Sequence, residues 1–162
     1  MHQIRINRVR RWGLLCCALL VSLATVAQAA KPKYYLADFT ITTAIIETSA
    51  LSCLAISIYL ADSRQQQAQG LMHIEQLDKN EGMLFRYSEP AIITMWMKNT
   101  YIPLDMAFIR QDGRVAAIAR HTTPMSTARI TSREQVTMVL ELNAGFTEEQ
   151  SFEVDDRLLT IN

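Results

Sequence analysis

The sequence predicts a mainly β protein, a compact antiparallel sandwich or barrel with one or two short helices. Along several short segments, hydrophobic residues alternate with polar ones, which is the two-residue period of a strand with one buried face. The Asp112-Gly113 pair between two such segments is typical of a hairpin turn, because that turn needs positive φ angles. Residues 62–70 carry the one clear set of helix start and stop signals.

The first predicted elements are two strands and that helix. Residues 39–46 and 51–60 are rich in strand-forming residues and are separated by a short turn. Asp62 or Ser63 can cap the first turn of the helix, and Gly70 can adopt the left-handed conformation that ends it. We therefore expect two strands across a turn, followed by a short helix.

Strands make up most of the remaining chain. One begins at Gly82, and residues 92–98 form another candidate. The predicted hairpin joins residues 106–110 to residues 114–120. The last predicted elements are a strand with one buried face at 136–142, a turn at 143–145, a helical turn at 147–150 and a final strand at 157–161.

Composition and charge place this chain among ordinary globular proteins. Of its 162 residues, 49% are hydrophobic and 20% are charged, which is too apolar for a disordered chain. The 16 basic and 16 acidic side chains cancel, but four of the arginines lie in residues 1–29. The rest of the chain carries 12 basic and 16 acidic groups, a net charge of −4. Nucleic acid is not an expected partner, because a phosphate-binding surface needs clustered Lys and Arg.

The first 29 residues have the pattern of a cleavable signal peptide. Four arginines precede an uncharged apolar run of 13 residues, 14–26, and small residues follow it. A membrane-spanning helix needs roughly 20 apolar residues, so this run is short for that purpose. We expect residues 1–29 to be removed and residues 30–162 to form one periplasmic or secreted domain without stable membrane insertion. The alternative is an uncleaved signal that anchors the protein to the membrane.

Cys53 is the only cysteine left after this cleavage, so no intramolecular disulfide can form. No Lys, Arg or His lies near it in sequence to activate its thiol. The sequence therefore predicts that Cys53 is a small buried hydrophobic residue, with a reactive thiol as the alternative.

Residues 95–105 carry a more specific pattern than the alternation of an ordinary strand. Residues 95–105 read Met-Trp-Met-Lys-Asn-Thr-Tyr-Ile-Pro-Leu-Asp, which resembles the signature of the family named domain of unknown function 192, widespread in bacteria and archaea. The likeness covers about residues 54–161 in the order of the family pattern. The other matching segments are 61–62, 70–72, 82–85, 108–109, 112–115, Pro124 and 139–145. The resemblance implies a compact, mainly β fold with no established activity.

The chain departs from the family pattern at several positions. The family usually has Arg at the positions of Gln67 and Ile74. Met95 stands where an aromatic residue is usual, and Asp155-Asp156 stands where a Gly-Asp pair closes the pattern. If the two arginines bind an anion in relatives, this chain lacks them.

The signature segment also suggests a ligand site. On a strand, Met95 and Met97 share one face, while Trp96 and Lys98 share the other. If the methionines belong to the core, Trp96 and Lys98 face a groove or solvent. An aromatic plate beside a cation and several polar groups can orient a small polar ligand.

The predicted ligand-binding residues are Trp96, Lys98, Asn99, Asp105 and, as a companion, Glu141. Trp96 would stack on the ligand and Lys98 would pair with an anionic group. Asn99 would form hydrogen bonds, and Asp105 would orient Lys98 or accept a bond from the ligand. In the alternative interpretation, Trp96 anchors the core, Lys98 pairs with Asp105 or Glu141, and Asn99 satisfies turn amides. No cofactor is predicted.

No catalytic residue is predicted. His73 and His121 have no partner at a recognisable spacing, and neither belongs to the family pattern. Ser63, Ser126 and Ser132 lack the Gly-x-Ser-x-Gly context of a nucleophile elbow. A hydrolase with an unidentified substrate stays open only as an alternative.

A metal site is a further alternative, because methionine is abundant. Thioether sulfurs, together with His121, could hold a cuprous ion in the periplasm. However, Trp96 points away from Met95 and Met97 in the predicted strand, and methionine on strands usually fills the core. The sequence therefore predicts no metal ligands.

Overall fold

The computed structural model describes residues 34–49 and 52–161. It confirms the mainly β prediction, with seven strands, two short helices and a single 3-10 turn among these residues. The elements in chain order are the turn Tyr34–Leu36, β1 Thr40–Glu47, β2 Cys53–Ala61, α1 Arg64–Gln69, β3 Glu81–Met95, β4 Leu104–Ile109, β5 Val115–Ala119, β6 Ile130–Asn143, α2 Phe146–Glu149 and β7 Arg157–Ile161.

The strands form one sheet in the order β5-β4-β6-β3-β2-β1-β7. All neighbours are antiparallel except β2 and β3, which run parallel because α1 lies in the connection between them. The two edge strands meet at one end, where the N–H of Leu158 donates to Gly113 and the N–H of Val115 donates to Asp156. These bonds bring β7 against the start of β5, so the sheet is a nearly closed barrel.

The central strands are buried on both faces. Every strand contributes to an inner core, to which β2 gives Ile56 and Ile58 and β6 gives Leu140 and Leu142. The opposite face of β2, β3, β4 and β6 packs in a second cluster, here called the outer core. Loops cover it with their own buried side chains, which are Leu36, Phe39, Leu71, Ile74, Leu77 and Met97.

The two strands predicted at Gly82 and at 92–98 are one long strand, β3, which ends at Met95. Its pairing with β6 is irregular between Arg86 and Ala91 and again between Ile92 and Thr94. Pro90 lies in the first irregular stretch, where its missing N–H removes no regular ladder bond. The irregularity explains why the sequence suggested two separate strands.

The predicted helix is present, with Ser63 as its N-cap. Ser63 accepts from the N–H of Gln66, and the side chain of Gln66 accepts in return from the N–H of Ser63. This capping box starts α1, and Gly70 ends it with a φ of 51° and a ψ of −142°, a positive φ but not the left-handed helical conformation that was predicted. Asp62, the other predicted cap, instead forms a two-bond ion pair with Arg86.

The prediction that Cys53 is buried is wrong. It is the first residue of β2, opposite Glu47 of β1, and its side chain is exposed. The alternation of the strand was correct, but the outer core does not extend to this end of β2. Tyr59, on the same face, is buried in that core.

Residues 1–29, the predicted signal peptide, lie outside the described residues. Among residues 34–49 and 52–161, no helix is both long enough and apolar enough to cross a membrane.

Candidate functional site

Trp96 and Lys98 lie directly after β3, in the loop that leads to β4. The predicted alternation holds here, since Met97 is buried in the outer core while Trp96 is 52% exposed. The ammonium nitrogen of Lys98 lies 5.8 Å from the centroid of the Trp96 ring, which is within the range of a cation–π contact. The two residues therefore form an exposed pair, and Trp96 is not a core anchor.

A tight turn holds this pair in place. The N–H of Thr100 donates to the carbonyl of Met97 over 3.1 Å, and Asn99 inside the turn has a φ of 55°. The Asn99 carbonyl accepts from the N–H of His73 over 2.9 Å, and its amide nitrogen lies 3.9 Å from the Met72 sulfur. Asn99 thus joins the motif loop to the loop that follows α1.

A third loop is joined to the same turn. The N–H of Met97 donates to the carbonyl of Ser126, and the N–H of Met125 donates to the carbonyl of Thr100. Met125 has a φ of 61° and is 54% exposed. We call residues 70–80, 96–103 and 121–129 together the loop surface. Each of its three loops contains a residue other than glycine at positive φ, a conformation that persists only where surrounding contacts hold it.

The loop surface carries an aromatic cluster that the sequence analysis missed. The Nδ1 atom of His73 is 2.9 Å from the hydroxyl of Tyr101, and the two rings meet edge to face at 5.6 Å between centroids. The ring of Tyr35 also contacts His73, with 5.5 Å between centroids and a tilt of 40° between the ring planes. Both tyrosines are about half exposed. Because these residues are distant in sequence, no local pattern indicated that they would meet.

Asp105 does not join this surface. It belongs to β4, whose alternation turns Leu104 and Met106 toward the outer core and Asp105 toward the opposite face. There it is fully buried and accepts four bonds, from the N–H groups of His121, Gly145 and Thr147 and from the hydroxyl of Thr147. Desolvation by burial acts to raise the pKa of Asp105, but these hydrogen bonds prevail and lower it.

Glu141 lies below the loop surface, in the outer core. It is 4% exposed, and its register partners are Met83 on β3 and Met106 on β4. Burial raises the pKa of its carboxyl group to about 8. Its side chain makes no hydrogen bond or ion pair with a described residue. Lys98 forms no ion pair with Glu141 or with Asp105. Of the predicted site residues, Trp96, Lys98 and Asn99 come together at the surface, with Glu141 under the covering loops and Asp105 on the other face.

The two positions where relatives usually have Arg now have structural roles. The side-chain amide of Gln67 donates to the carbonyl of Arg86 over 2.8 Å, which ties α1 to β3. Ile74 is buried in the outer core. Neither side chain gives the outer core or the loop surface a positive charge.

The histidines do not form a catalytic pair. His73 contacts the two tyrosines, and the Nε2 atom of His121 lies 3.3 Å from a carboxylate oxygen of Glu148. Ser126 bonds the N–H of Ala128 and Ser132 bonds the carbonyl of Glu134, so neither is hydrogen bonded to a histidine. Within the part of the chain that the structure describes, no three His, Cys, Asp or Glu side chains are grouped so that they could hold a metal ion.

Two solved structures are similar to this chain. A protein from Sinorhizobium meliloti 1021, described as a candidate transcription regulator, is 39% identical with a TM-score of 0.74, and the match covers 75% of this chain and 95% of that one. A protein of unknown function from Novosphingobium aromaticivorans DSM 12444 is 29% identical with a TM-score of 0.74, over 81% of this chain and 91% of that one. No curated protein matches the sequence.

The family model that matches is DUF192, described as an uncharacterised ACR, over residues 45–160. The match covers β2 to β6 in full, parts of β1 and β7, and the whole loop surface, in agreement with the resemblance carried by residues 95–105. The chain therefore belongs to the domain of unknown function 192 family.

Proposed function

We propose that this protein is an exported binding module that holds a small polar ligand on the loop surface. The observation that carries the proposal is the Lys98 ammonium group placed over the half-exposed ring of Trp96, on three loops fixed to one another by backbone hydrogen bonds. A large aromatic side chain left exposed costs solvation free energy, and a ligand that stacks on it removes that cost. The rigid loops mean that little entropy is lost on binding.

The charge of the surface indicates the ligand's chemistry. Lys98 forms no ion pair with a described residue, so its ammonium group remains available to an anionic group. Trp96 offers the flat apolar face, while the Asn99 side chain and the Tyr101 hydroxyl offer hydrogen-bonding groups. The ligand is therefore a small molecule with a carboxylate or similar anion and a flat apolar face, as in an acidic sugar.

A nucleic acid fits this surface less well. The domain carries a net charge of −4, and four of its eight arginines pair with carboxylates. Arg86 pairs with Asp62, Arg120 pairs with Glu153, and Arg110 pairs with two acids. Nucleic-acid binding needs basic groups that are free to replace counterions. The description of the S. meliloti protein as a candidate transcription regulator therefore does not change the proposal for this chain.

Export is part of the proposal and rests on residues 1–29. The basic start, the short apolar run and the small residues after it support cleavage near residue 29. Mass spectrometry of the protein from the periplasmic fraction should give an N-terminus close to residue 30. A full-length chain in the membrane fraction would instead support an uncleaved anchor, and a full-length cytoplasmic chain would overturn export.

The binding site can be tested through Trp96 itself. Trp12 lies in the predicted signal peptide, so Trp96 is the only tryptophan in residues 30–162. We expect glucuronate and muramyl dipeptide to change Trp96 fluorescence and raise the melting temperature, with a weaker effect of uncharged glucose. Lys98→Met should remove the preference for glucuronate over glucose.

Two control variants make this test decisive. Trp96→Ala should abolish the thermal shift, whereas Ile41→Ala, which truncates a 61% exposed residue on β1, should leave it unchanged. The proposal fails if the probes leave both fluorescence and melting temperature unchanged, or if Lys98→Met and Trp96→Ala respond to them as the native chain does.

A further inference from the structure

A surface depression of about 330 Å³ lies between β3 and the residues just before α1. The residues that line it are Asp62, Arg86, Tyr87 and Ser88. Its volume is at the lower end of the range for small-molecule sites, which is roughly 300 to 1,000 Å³. The depression therefore has room for a molecule of the size of an amino acid.

An ion pair forms part of this lining. The Nη2 atom of Arg86 lies 2.7 Å from Oδ2 of Asp62, and Nε lies 3.1 Å from Oδ1. The two side chains are 44% and 43% exposed, so neither group is fully desolvated by the protein. Both charges are therefore accessible to a molecule in the depression, and the pair need not break for that molecule to bind.

The pair leaves hydrogen-bonding capacity unused on both sides. Asp62 accepts from Nε and Nη2 of Arg86, and the Nη1 atom makes no hydrogen bond with a described residue. Each carboxylate oxygen of Asp62 accepts one of these bonds and can accept another. The hydroxyl of Ser88 also has no hydrogen-bond partner among the described residues. The lining thus offers cationic donors and anionic acceptors side by side.

Contacts with α1 hold both members of the pair in place. The N–H of Asp62 donates to the side-chain oxygen of Gln66 over 3.2 Å. The side-chain amide of Gln67 donates to the carbonyl of Arg86 over 2.8 Å. Tyr87, the aromatic residue of the lining, packs against the outer core. Because these groups are already positioned, binding there costs little conformational entropy.

We propose that this depression binds a free α-amino acid as its zwitterion, with the amino acid's side chain against Tyr87. The ligand's carboxylate accepts from the Nη1 group of Arg86, and its ammonium group donates to Asp62. An α-amino acid carries these two charged groups on one carbon atom, so they match a guanidinium and a carboxylate in direct contact. The four charges alternate in sign, and the occupied site stays electrically neutral.

Ligands with a single charge fit this lining less well. An anion bound to Arg86 is repelled by Asp62, and a cation bound to Asp62 is repelled by Arg86. A neutral molecule forms hydrogen bonds there but gains no ionic contact. The loop surface differs in this respect, because Lys98 forms no ion pair with a described residue and attracts an anion alone. The two sites are therefore expected to select different ligands.

The test uses L-phenylalanine as the probe and the purified protein. We expect L-phenylalanine to bind measurably by calorimetry and to shift the amide NMR signals of Tyr87 and Ser88. N-acetyl-L-phenylalanine lacks the ammonium group and L-phenylalaninamide lacks the carboxylate, so each should bind at least tenfold more weakly. Glycine, which has no side chain to contact Tyr87, should also bind more weakly than L-phenylalanine.

Matched variants localise the binding. Asp62→Asn should weaken L-phenylalanine binding at least tenfold, and the exposure of the pair means that the variant should still fold. Glu153→Gln, which removes the carboxylate of the exposed ion pair with Arg120, should bind as the native chain does. Trp96→Ala should also leave L-phenylalanine binding intact, so this inference and the proposed loop site can fail separately. The inference is overturned if L-phenylalanine does not bind, if either blocked analogue binds as tightly, or if Asp62→Asn has no effect.

Discussion

Asp105 and Thr147 are joined by two hydrogen bonds to a single carboxylate oxygen. The Oδ2 atom of Asp105 accepts the Thr147 hydroxyl at 2.7 Å and the Thr147 N–H at 3.1 Å. Its Oδ1 atom accepts the N–H of His121 at 2.9 Å, and Oδ2 also accepts the N–H of Gly145 at 3.1 Å. One buried carboxylate therefore holds the start of α2 and the start of the β5–β6 loop against β4.

This arrangement predicts a large loss of stability when the carboxylate is removed. Asp105→Ala leaves several donors unsatisfied, which should lower the free energy of unfolding by about 3 kcal/mol. Urea denaturation followed by circular dichroism measures the change. Asp38→Ala, at an exposed aspartate, is the control and should change it by less than about 0.5 kcal/mol. Equal losses in the two variants would contradict the structural role of Asp105.

Glu141 should make stability fall as the pH rises. Its pKa is 4.5 as a free side chain and about 8 in the fold, so between these values the native state keeps a proton that the unfolded chain has lost. The stabilising contribution is therefore complete below pH 4.5 and disappears by about pH 8, a total on the order of 5 kcal/mol. Urea midpoints measured across this range should decline.

Glu141→Gln supplies the control for that prediction. The amide does not titrate, so the variant should lose most of the decline in this pH range and be more stable than the native chain above pH 8. The prediction is wrong if the two proteins show parallel pH profiles.

The hydroxyl of Tyr87 should titrate differently when Glu141 is neutral. Burial is the larger cause of its raised pKa and the charge of Glu141 is the smaller one. Glu141→Gln should therefore lower the pKa of Tyr87 from about 12 without returning it to 10.0. Ultraviolet difference spectra at high pH follow phenolate formation, and Tyr87→Phe identifies the signal. An unchanged titration would mean that the two side chains are further apart than the structure has them.

Trp96 and Met97 should respond oppositely to truncation, although they are adjacent. Met97 is 1% exposed, so Met97→Ala creates a cavity and should cost about 2 to 4 kcal/mol. Trp96 is 52% exposed, so Trp96→Ala should cost less than about 1 kcal/mol. Thermal and urea unfolding compare the two. If Trp96→Ala lost as much stability as Met97→Ala, Trp96 would have to be packed in the core rather than exposed.

Gly113 lies where β7 meets the start of β5, and replacing it with a larger residue should destabilise the fold. Its φ is 85°, and a Cβ atom added there would lie 2.7 Å from the carbonyl oxygen of Leu158. Gly113→Ala should therefore destabilise the fold by about 2 kcal/mol and increase hydrogen exchange at Leu158, whose N–H bonds to Gly113. Ala117→Gly, within β5, is a comparison that should leave exchange at Leu158 nearly unchanged.

The fold class and most strands could be predicted because they depend on local pattern. Alternation along β6, the Asp112-Gly113 turn and the Ser63 cap each act within a few residues, and all three are present in the structure. The single strand β3 was harder to recognise, since its irregular pairing around Pro90 interrupts the alternation. The exposure of Cys53 could not be inferred either, because it depends on how far the covering loops extend.

The sequence by itself determined that this is a mainly β domain of the domain of unknown function 192 family, with Trp96 and Lys98 on the opposite face from Met97. Only the tertiary structure decided which predicted site residues meet. Asp105 and Glu141 lie on neighbouring strands, β4 and β6, yet they face opposite sides of the sheet. Asp105 has four donors and a lowered pKa, whereas Glu141 has none and a raised one. The physical reason is that a carboxyl group's environment is set by strand register and by loop packing between distant parts of the chain, and neither is encoded in the spacing of a motif.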